Sequence, residues 1–230
     1  MNEIEDFYNF ESQYYDKIYG SFTDDIVFYK SIPCYPPYLE LFAGTGRIIS
    51  KFKDGIGVEI NFNMLSSSSS KFIKIQGDAR SLPLKKVFNT VIIGLNSLLL
   101  VKDEDKVKII SEARRVLNTG GILLVDVING FSLKRGVYEV ANFNSNGLKI
   151  KLKLWPRRDG YKYILTYRYL ISGIERKNVV KNITIYPVVY ENLMKMIEEE
   201  SFRIESVYGD YDLSSYDKSS EKLIVKAKAV

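Results

Sequence analysis

Short, continuous apolar runs recur between residues 38 and 127. They extend from about Tyr38 to Phe42, Gly55 to Ile60, Phe72 to Ile75, Val87 to Gly94 and Ile122 to Val127. Runs of this length without alternation are typical of parallel strands that are buried on both faces. An amphipathic helix, predicted at Asp103 to Leu117, lies between the last two runs. The pattern therefore predicts an α/β fold in which helices cover a parallel sheet.

The pattern changes after Asn129, where apolar and polar residues begin to alternate. Alternation extends over Leu148 to Leu154, Tyr161 to Leu170 and Val179 to Tyr186. It is typical of antiparallel strands with one exposed face. We expect these three strands to form a lid inserted at residues 137–187. The chain then continues into a helix, Val188 to Glu200, and two closing strands, Arg203 to Tyr208 and Glu221 to Ala227.

The first 37 residues are rich in aromatic side chains at helical spacing, among them Phe7, Phe10, Tyr14 and Tyr15. Three prolines between Ser31 and Tyr38 end this region. We expect residues 1–37 to form a helical cover over the sheet. Cover, sheet and lid together fit a single domain of 230 residues.

Composition narrows the chemistry that the chain can perform. Hydrophobic residues make up 46% of it and the formal net charge is +5, which allows a normal core and does not require an acidic partner. There is no histidine and a single cysteine, Cys34, which argues strongly against a structural zinc site and excludes Ser-His-Asp and Cys-His catalysis. No metal site is predicted, and no residue is assigned as catalytic. The missing signal peptide and membrane span, together with the lone cysteine, predict a cytoplasmic protein.

Polar and glycine residues follow the predicted strands at their carboxyl ends. The turn Ala43-Gly44-Thr45-Gly46 follows the first strand, Glu59 ends the second, Asp78 follows the third and Leu95-Asn96-Ser97 follow the fourth. Ligands of open α/β sheets bind at this edge, and glycines let the backbone approach them closely. Ile49 stands where a dinucleotide fingerprint would have its third glycine, which argues against NAD or FAD.

These stretches resemble the class I S-adenosylmethionine-dependent methyltransferases, and in particular their small-molecule, N-methyltransferase-like members. The matching segments are LELFAGTGRI, GVEINFNML, QGDARSLPL, VIIGLNSLLLV and LNTGGILLVDV. The resemblance implies a Rossmann-like sheet of seven strands in the order 3-2-1-4-5-7-6, with the last strand antiparallel. It also implies S-adenosylmethionine as the cofactor and S-adenosylhomocysteine as the product.

The resemblance also implies the roles of particular residues. Glu40, Ala43, Gly44 and Gly46 would surround the methionine part of the cofactor, Glu59 would hold the ribose, Asp78 and Ala79 the adenine, and Asn96 would lie near the sulfonium. Thr45, Ile60 and Leu95 are predicted to complete the cofactor site. The segment Tyr14-Tyr15-Asp16-Lys17-Ile18-Tyr19 looks like one in which a tyrosine caps the cofactor, so Tyr15 and Tyr19 are added to the site.

The resemblance implies a small-molecule acceptor, because an inserted lid together with an N-terminal helical cover usually encloses a small molecule in this family. Nitrogen is the predicted target, because a neutral amine needs no histidine base. Tyr14, Asn96, Trp155, Arg157 and Tyr167 are the predicted substrate-binding residues. A nucleic-acid or protein substrate stays open as the alternative, less favoured, because Lys149, Lys151, Lys153, Arg157, Arg158 and Lys162 could follow a phosphate backbone. No membrane partner is predicted, and the chain is expected to be a monomer or a homodimer.

Two short motifs suggest other methyl acceptors but lie in the wrong place. Tyr35-Pro36-Pro37-Tyr38 resembles a motif of enzymes that methylate nucleobase amino groups, and Pro33-Cys34 resembles that of cytosine C5 enzymes. Both precede the first strand and therefore belong to the amino ends of the strands, opposite the predicted site.

Overall fold

The computed structural model describes residues 3–230. Seven strands form one sheet in the order β10-β11-β5-β4-β1-β2-β3, in which β11 runs antiparallel to both of its neighbours. Its strands are β1 Tyr38–Leu41, β2 Gly55–Glu59, β3 Ile73–Gln76, β4 Phe88–Ile93, β5 Leu117–Ile128, β10 Phe202–Tyr208 and β11 Lys222–Ala229. The predicted order 3-2-1-4-5-7-6 with a reversed last strand is confirmed.

Six helices accompany the sheets in the described part of the chain. They are α1 Glu3–Glu11, α2 Tyr15–Tyr19, α3 Asp24–Ser31, α4 Phe62–Ser67, α5 Asp103–Val116 and α6 Tyr190–Glu199. Short 3-10 turns occupy Ile49–Lys51 and Ser97–Leu100. None of the helices between residues 3 and 230 is long and apolar enough to cross a membrane.

The central strands are mostly apolar because both of their faces are covered. Leu123 and Val125 of β5 point into the core shared with α5 and α6, whereas Ile122 and Leu124 point into a second core formed with α3. Successive side chains of a strand alternate between faces, so a strand between two helical layers is mostly apolar, and its buried polar residues, such as Glu40 and Asp126, are hydrogen-bonded.

The inserted region is a separate antiparallel sheet of four strands rather than the three that we expected. Its order is β6-β7-β8-β9, with bounds Tyr138–Ser145, Leu148–Asp159, Lys162–Ser172 and Arg176–Ile185. The missed strand, β6, carries the sequence YEVANFNS and is mostly exposed or half-buried. Its polar edge position leaves too little apolar alternation to identify it from the sequence.

The inner face of this lid packs directly on the N-terminal helices. Ile18 of α2 shares a core with Ile150, Leu152 and Tyr169 of the lid. The ring centroids of Phe10 and Tyr169 are 4.9 Å apart, within the range of stable aromatic pairs. Cover and lid therefore form one continuous layer beyond the carboxyl ends of the central strands.

Candidate functional site

A cavity of about 570 Å³ opens at the carboxyl ends of the central strands. Its size is within the range of small-molecule and cofactor sites in proteins. Seven of the predicted cofactor residues lie on its wall: Tyr15, Gly44, Glu59, Ile60, Asp78, Ala79 and Leu95. The cover contributes Ile4, Glu5, Tyr8 and Asn9 to the same wall.

Glu59 is the best-held acid of the cavity. It ends β2, and its carboxylate accepts hydrogen bonds from the backbone N–H of Gly44 at 3.0 Å and of Asn61 at 2.8 Å. Burial raises the pKa of this carboxyl, while the two backbone donors lower it again in part. The contact with Gly44 joins the glycine turn to the end of β2, so the acid and the turn have a fixed relative position.

The two glycines of the turn, Gly44 and Gly46, are required for different structural reasons. Gly44 has φ +56° and lines the cavity, and a methyl group there would lie 3.1 Å from Cε of Met64. Gly46 has φ +76°, and a Cβ would lie 2.0 Å from the ring of Phe72. Only at Gly44 does the missing side chain let a ligand in the cavity approach the backbone closely, because the space beside Gly46 is filled by the Phe72 ring.

Asp78 faces the cavity in an exposed ion-pair network. Arg80 Nη2 lies 2.7 Å from Asp78 Oδ2, and Arg80 Nη1 lies 3.0 Å from Asp105 Oδ2. The hydrogen bond from Arg80 lowers the pKa of Asp78, so the carboxylate is ionised at neutral pH. Arg80 itself lines the cavity and was missed from the sequence, although it directly follows Asp78 and Ala79.

Six predicted cofactor residues lie behind the wall rather than on it. Glu40 is 4% exposed, and its carboxylate accepts a 2.9 Å hydrogen bond from the Ile49 N–H, so it stabilises the chain after the glycine turn. Burial raises the pKa of Glu40 to about 8. The hydroxyl of Thr45 donates to Asp16 of α2 at 2.6 Å. The others are Tyr19, Ala43, Gly46 and Asn96.

The side chain of Asn96 contacts the neighbouring strand β5. Leu95 and Asn96 have positive φ angles of 48° and 65°, and the Asn96 side-chain oxygen accepts a 2.6 Å hydrogen bond from the N–H of Ile128. This contact ties the end of β4 to the end of β5. Leu95 and Ser97 line the cavity and Asn96 does not, so its role near the sulfonium and the substrate stays a prediction.

Two predicted substrate residues, Trp155 and Arg157, lie on the outer face of the lid. The guanidinium of Arg168 stacks over Trp155 at 5.2 Å, and Arg157 is exposed. The alternation of β7 explains this placement, because odd-numbered positions share the wet face with Lys149, Lys151 and Lys153. The assignment of these two residues to the substrate pocket is therefore corrected, and the alternation in the sequence contained the signal.

Tyr14 and Tyr167 lie between the cover and the lid. Tyr14 packs against Phe10 and Phe143, with ring centroids 5.8 Å and 6.1 Å apart. Tyr167 packs on Phe7 at 4.9 Å. Neither is on the wall of the cavity, and both belong to the aromatic layer above it. Tyr8, which the sequence analysis did not assign to the site, is on the wall.

Potential metal ligands are not clustered in the part of the chain that the structure describes. Among residues 3–230 no group of three or more acids or cysteines is placed to hold a metal ion. Cys34 is half-buried at the amino-end side of the sheet, where burial raises the pKa of its thiol to about 11.

Comparison with known proteins agrees with this arrangement. Residues 39–125 match the family model Methyltransf_11, described as a methyltransferase domain. The uncharacterized protein MJ1123 of Methanocaldococcus jannaschii is 35% identical over 103 residues, which are 44% of this chain and 49% of that protein. The chain thus spans about half the length of this relative.

Two solved structures share the fold over nearly the whole chain. One is an S-adenosylmethionine-dependent methyltransferase from Clostridium acetobutylicum, with a TM-score of 0.76 and 17% identity, covering 94% of this chain and 96% of the other. Another is the sugar N-methyltransferase KedS8 from a Streptoalloteichus species, with a TM-score of 0.76 and 16% identity, covering 94% and 93%.

Residues 39–125 thus resemble a methyltransferase domain, and the chain has the fold of solved S-adenosylmethionine-dependent methyltransferases. The resemblance that the sequence motifs suggested is confirmed by these comparisons, and S-adenosylmethionine is the cofactor named for the Clostridium acetobutylicum structure. The matched segment ends at residue 125 and therefore covers β1 to β5 but not the lid.

Proposed function

We propose that this chain transfers a methyl group from S-adenosylmethionine to a nitrogen atom of a small-molecule acceptor. The observation that carries the proposal is the cavity at the carboxyl ends of β1 to β4. Two acids, Glu59 and Asp78, line it, and the N-terminal cover closes it. This is the edge at which open α/β sheets bind their ligands.

The residues of the cavity fit S-adenosylmethionine in size and in chemistry. Glu59 is placed to accept hydrogen bonds from the ribose hydroxyls, and its two backbone donors already fix its orientation. Asp78 and the backbone of Ala79 are placed to meet the adenine, with Ile60 and Phe62 as apolar walls. Gly44 leaves the space that a Cβ would fill. The cofactor supplies an electrophilic methyl group bound to a sulfonium sulfur.

We further propose that residues 1–37 and residues 137–187 act as the cover and the lid of a single catalytic domain, residues 1–230. Two contacts tie the cover to the cavity: Asn9 accepts a 2.9 Å hydrogen bond from Asn61, and Asp16 accepts one from Thr45. Methyl transfer by in-line displacement depends on alignment and on exclusion of water. A cover and lid that pack together supply both.

The nitrogen target follows from the groups that the cavity offers. No histidine is present, so an acceptor that arrives as a neutral amine is chemically the simplest. KedS8, which has the same fold including most of the lid region, is a sugar N-methyltransferase. These two points support an amine acceptor.

A polymer substrate was the alternative, based on the basic residues of the lid. Apart from Arg158, whose guanidinium lies 4.0 Å from the centre of the Phe131 ring, those residues lie on the outer face, opposite the layer that covers the cavity. Lys151 pairs with Glu139 at 2.7 Å and Lys162 with Asp159 at 3.7 Å, so part of this charge is already neutralised. A phosphate backbone on this face would not lead into the cavity.

Calorimetry with S-adenosylhomocysteine tests the cofactor site, and radiolabelled S-adenosylmethionine with a panel of amino sugars and alkylamines tests the acceptor class. We expect saturable binding and transfer of label to at least one amine. Binding to random RNA and DNA across a salt series tests the alternative. Steep, tight salt-dependent binding together with labelled nucleic acid would overturn the small-molecule assignment.

A further inference from the structure

Glu11, at the end of α1, is a carboxylate buried inside the cover and lid. It is 1% exposed, which is rare for a glutamate without a cationic partner. Its neighbours are phenols: the hydroxyl of Tyr169 donates to Glu11 Oε1 at 2.8 Å, and Tyr19 provides a second hydrogen bond. The lysine that projects from the inner face of β9, Lys181, is paired with Asp6 at 2.7 Å instead.

The phenols around Glu11 reach the wall of the cavity. The charge of Glu11 acts on Tyr8, Tyr15, Tyr19 and Tyr167 as well as on Tyr169. Tyr8 and Tyr15 line the cavity together with Gly44 and Glu59. The rings of Tyr15 and Tyr19 are 4.8 Å apart. Tyr15 on the wall, Tyr19 behind it and Glu11, to which Tyr19 is hydrogen-bonded, thus follow one another from the cavity inwards.

The surroundings of Glu11 favour its protonated form near neutral pH. Burial raises the pKa of Glu11 to about 8, although the hydrogen bonds from Tyr169 and Tyr19 lower it in part. Burial, and then the charge of Glu11, raise the pKa of Tyr167 above its ordinary value, and Tyr15 is shifted in the same direction. The phenols thus remain protonated, and Glu11 is the group of this cluster that exchanges a proton in the physiological range. Farther acids and cations that act on Tyr15 are Glu59, Glu40 and Arg47.

We propose that Glu11 and the tyrosine hydroxyls around it form the subsite that receives the amino group of the acceptor, and that Glu11 takes one proton from it before methyl transfer. The inference rests on the proposed function and deepens it: it identifies the acceptor as an amine that binds in its ammonium form.

The proton and electron balance is simple. An ammonium group at the cavity end of the tyrosines gives up one proton, each hydroxyl on the route accepts one proton and passes on its own, and the last hydroxyl, that of Tyr19, delivers a proton to the Glu11 carboxylate, so every phenol ends neutral. The nitrogen lone pair that is freed forms the N–C bond to the methyl group. The C–S bond breaks, and its electron pair stays on sulfur, leaving a neutral thioether and a methylated ammonium. Glu11 is in this scheme a positioning residue that acts through the tyrosines.

Sinefungin provides a probe that does not require the acceptor to be known. In this analogue of S-adenosylmethionine, a carbon that bears an amino group replaces the sulfur and its methyl group, so it places a cation at the transfer position. S-adenosylhomocysteine has no charge there. We expect calorimetry to show sinefungin binding about tenfold more tightly than S-adenosylhomocysteine at pH 8.5, a ratio that corresponds to ~1.4 kcal/mol.

The ratio should fall as the pH is lowered from 8.5 to 6, because Glu11 becomes protonated. Titrations in two buffers of different ionisation enthalpy should show that sinefungin releases a proton at pH 7. Glu11→Gln should abolish both the pH dependence and the proton release while leaving S-adenosylhomocysteine affinity within about twofold of the wild type. Glu11→Asp, which keeps a carboxylate, should retain part of the effect.

Asp6→Asn is the matched control, because it removes an acid of the same helix and loosens the pair with Lys181 but does not face the tyrosines. Tyr169→Phe is a second test variant, should Glu11→Gln fail to fold. An unchanged ratio in Glu11→Gln, or equal losses for both analogues in Glu11→Gln and Asp6→Asn, would overturn the inference. Failure of the wild type to bind either analogue would instead overturn the proposed function, and this inference with it.

Discussion

The hydroxyl of Tyr169 in the lid donates a 2.8 Å hydrogen bond to Glu11 of the cover, across 158 positions of the chain. It connects two regions that pack together above the cavity, and it ends on a carboxyl group that is 1% exposed. A buried acid that is held by phenols rather than by a cation makes the stability of the protein depend on pH.

Glu11 should lower the stability of the wild type as the pH rises. Its pKa is raised from an ordinary 4.5 to about 8, so the folded state binds the proton more tightly than the unfolded state. This stabilisation is complete below pH 4.5 and is lost as the pH rises through about 8. If only half of this pKa shift is present in the protein, it changes the free energy of unfolding by about 2 kcal/mol between low and high pH. Urea unfolding at pH 5, 7 and 9 measures it.

Glu11→Gln should reduce the fall in unfolding free energy between pH 5 and 9 by about 2 kcal/mol. Part of the fall should remain, because burial also raises the pKa of Glu40 to about 8. Asp6→Asn should keep the wild-type slope. If the profiles of Glu11→Gln and the wild type run parallel between pH 5 and 9, Glu11 does not titrate in this range.

Glu59→Gln should weaken the binding of S-adenosylhomocysteine at least tenfold. The carboxylate accepts from the N–H groups of Gly44 and Asn61, and an amide nitrogen in its place would face one of these donors. Hydrogen bonds to a charged group contribute about 1.5–3 kcal/mol. Calorimetry compares this variant with Glu175→Gln, which removes an exposed acid of the lid turn and should bind as the wild type does. Equal affinities for all three proteins would exclude Glu59 from the cofactor site.

The two glycines of the turn should differ in their tolerance of alanine. Gly46→Ala places a Cβ at 2.0 Å from the Phe72 ring at a φ of +76°, so we expect a loss of about 3 kcal/mol from overlap and backbone strain together. Gly44→Ala meets only the flexible end of Met64 at 3.1 Å, and should cost about 1–2 kcal/mol from strain.

A double-mutant cycle separates the overlap with the Phe72 ring from the backbone strain at Gly46. In a Phe72→Ala background, Gly46→Ala should cost only the strain of the left-handed backbone, about 1–2 kcal/mol. If Gly46→Ala costs as much stability in the Phe72→Ala background as in the wild type, the Phe72 ring is not what requires glycine at this position.

Two ion pairs of the cover and sheet should differ in their effect on stability. Arg47 and Asp25 pair in the interior, with side chains 6% and 0% exposed, and Arg47 also donates to the Phe22 carbonyl at 2.6 Å. Asp25→Asn leaves a buried guanidinium without its counterion and should cost about 3–5 kcal/mol. Asp105→Asn removes one exposed partner of Arg80 and should cost less than about 1 kcal/mol. Thermal and urea unfolding check this ranking, which similar losses in both variants would contradict.

Much of the central sheet, and the position of the cavity at its edge, follow from local sequence. The apolar runs place β1 to β5, and the residues that follow each run must lie at one edge because parallel strands end there together. Glu59, Asp78 and Gly44 were therefore identified before their contacts were known. Strand order came from the family resemblance, since hydrophobic periodicity does not determine which strands are neighbours.

Other features depend on contacts between distant segments. Nothing in α1 marks Glu11 as buried, because an acid near the end of a short helix ordinarily faces water; β8 and α2 bury it. β6 has almost no apolar alternation and becomes a strand only by pairing with β7. Asn96 was predicted to face the cofactor, but its side-chain oxygen is held by the Ile128 N–H of a neighbouring strand.

The sequence by itself thus determined the fold class, the edge of the sheet that carries the site and the acids that line it, because these depend on periodicity and on the order of residues within single elements. Only the tertiary structure decided which glycine faces the cavity, that Trp155 and Arg157 lie outside it, and that a buried glutamate stands behind its tyrosine wall. The physical reason is that side-chain surroundings are set by packing between elements that are far apart in the chain.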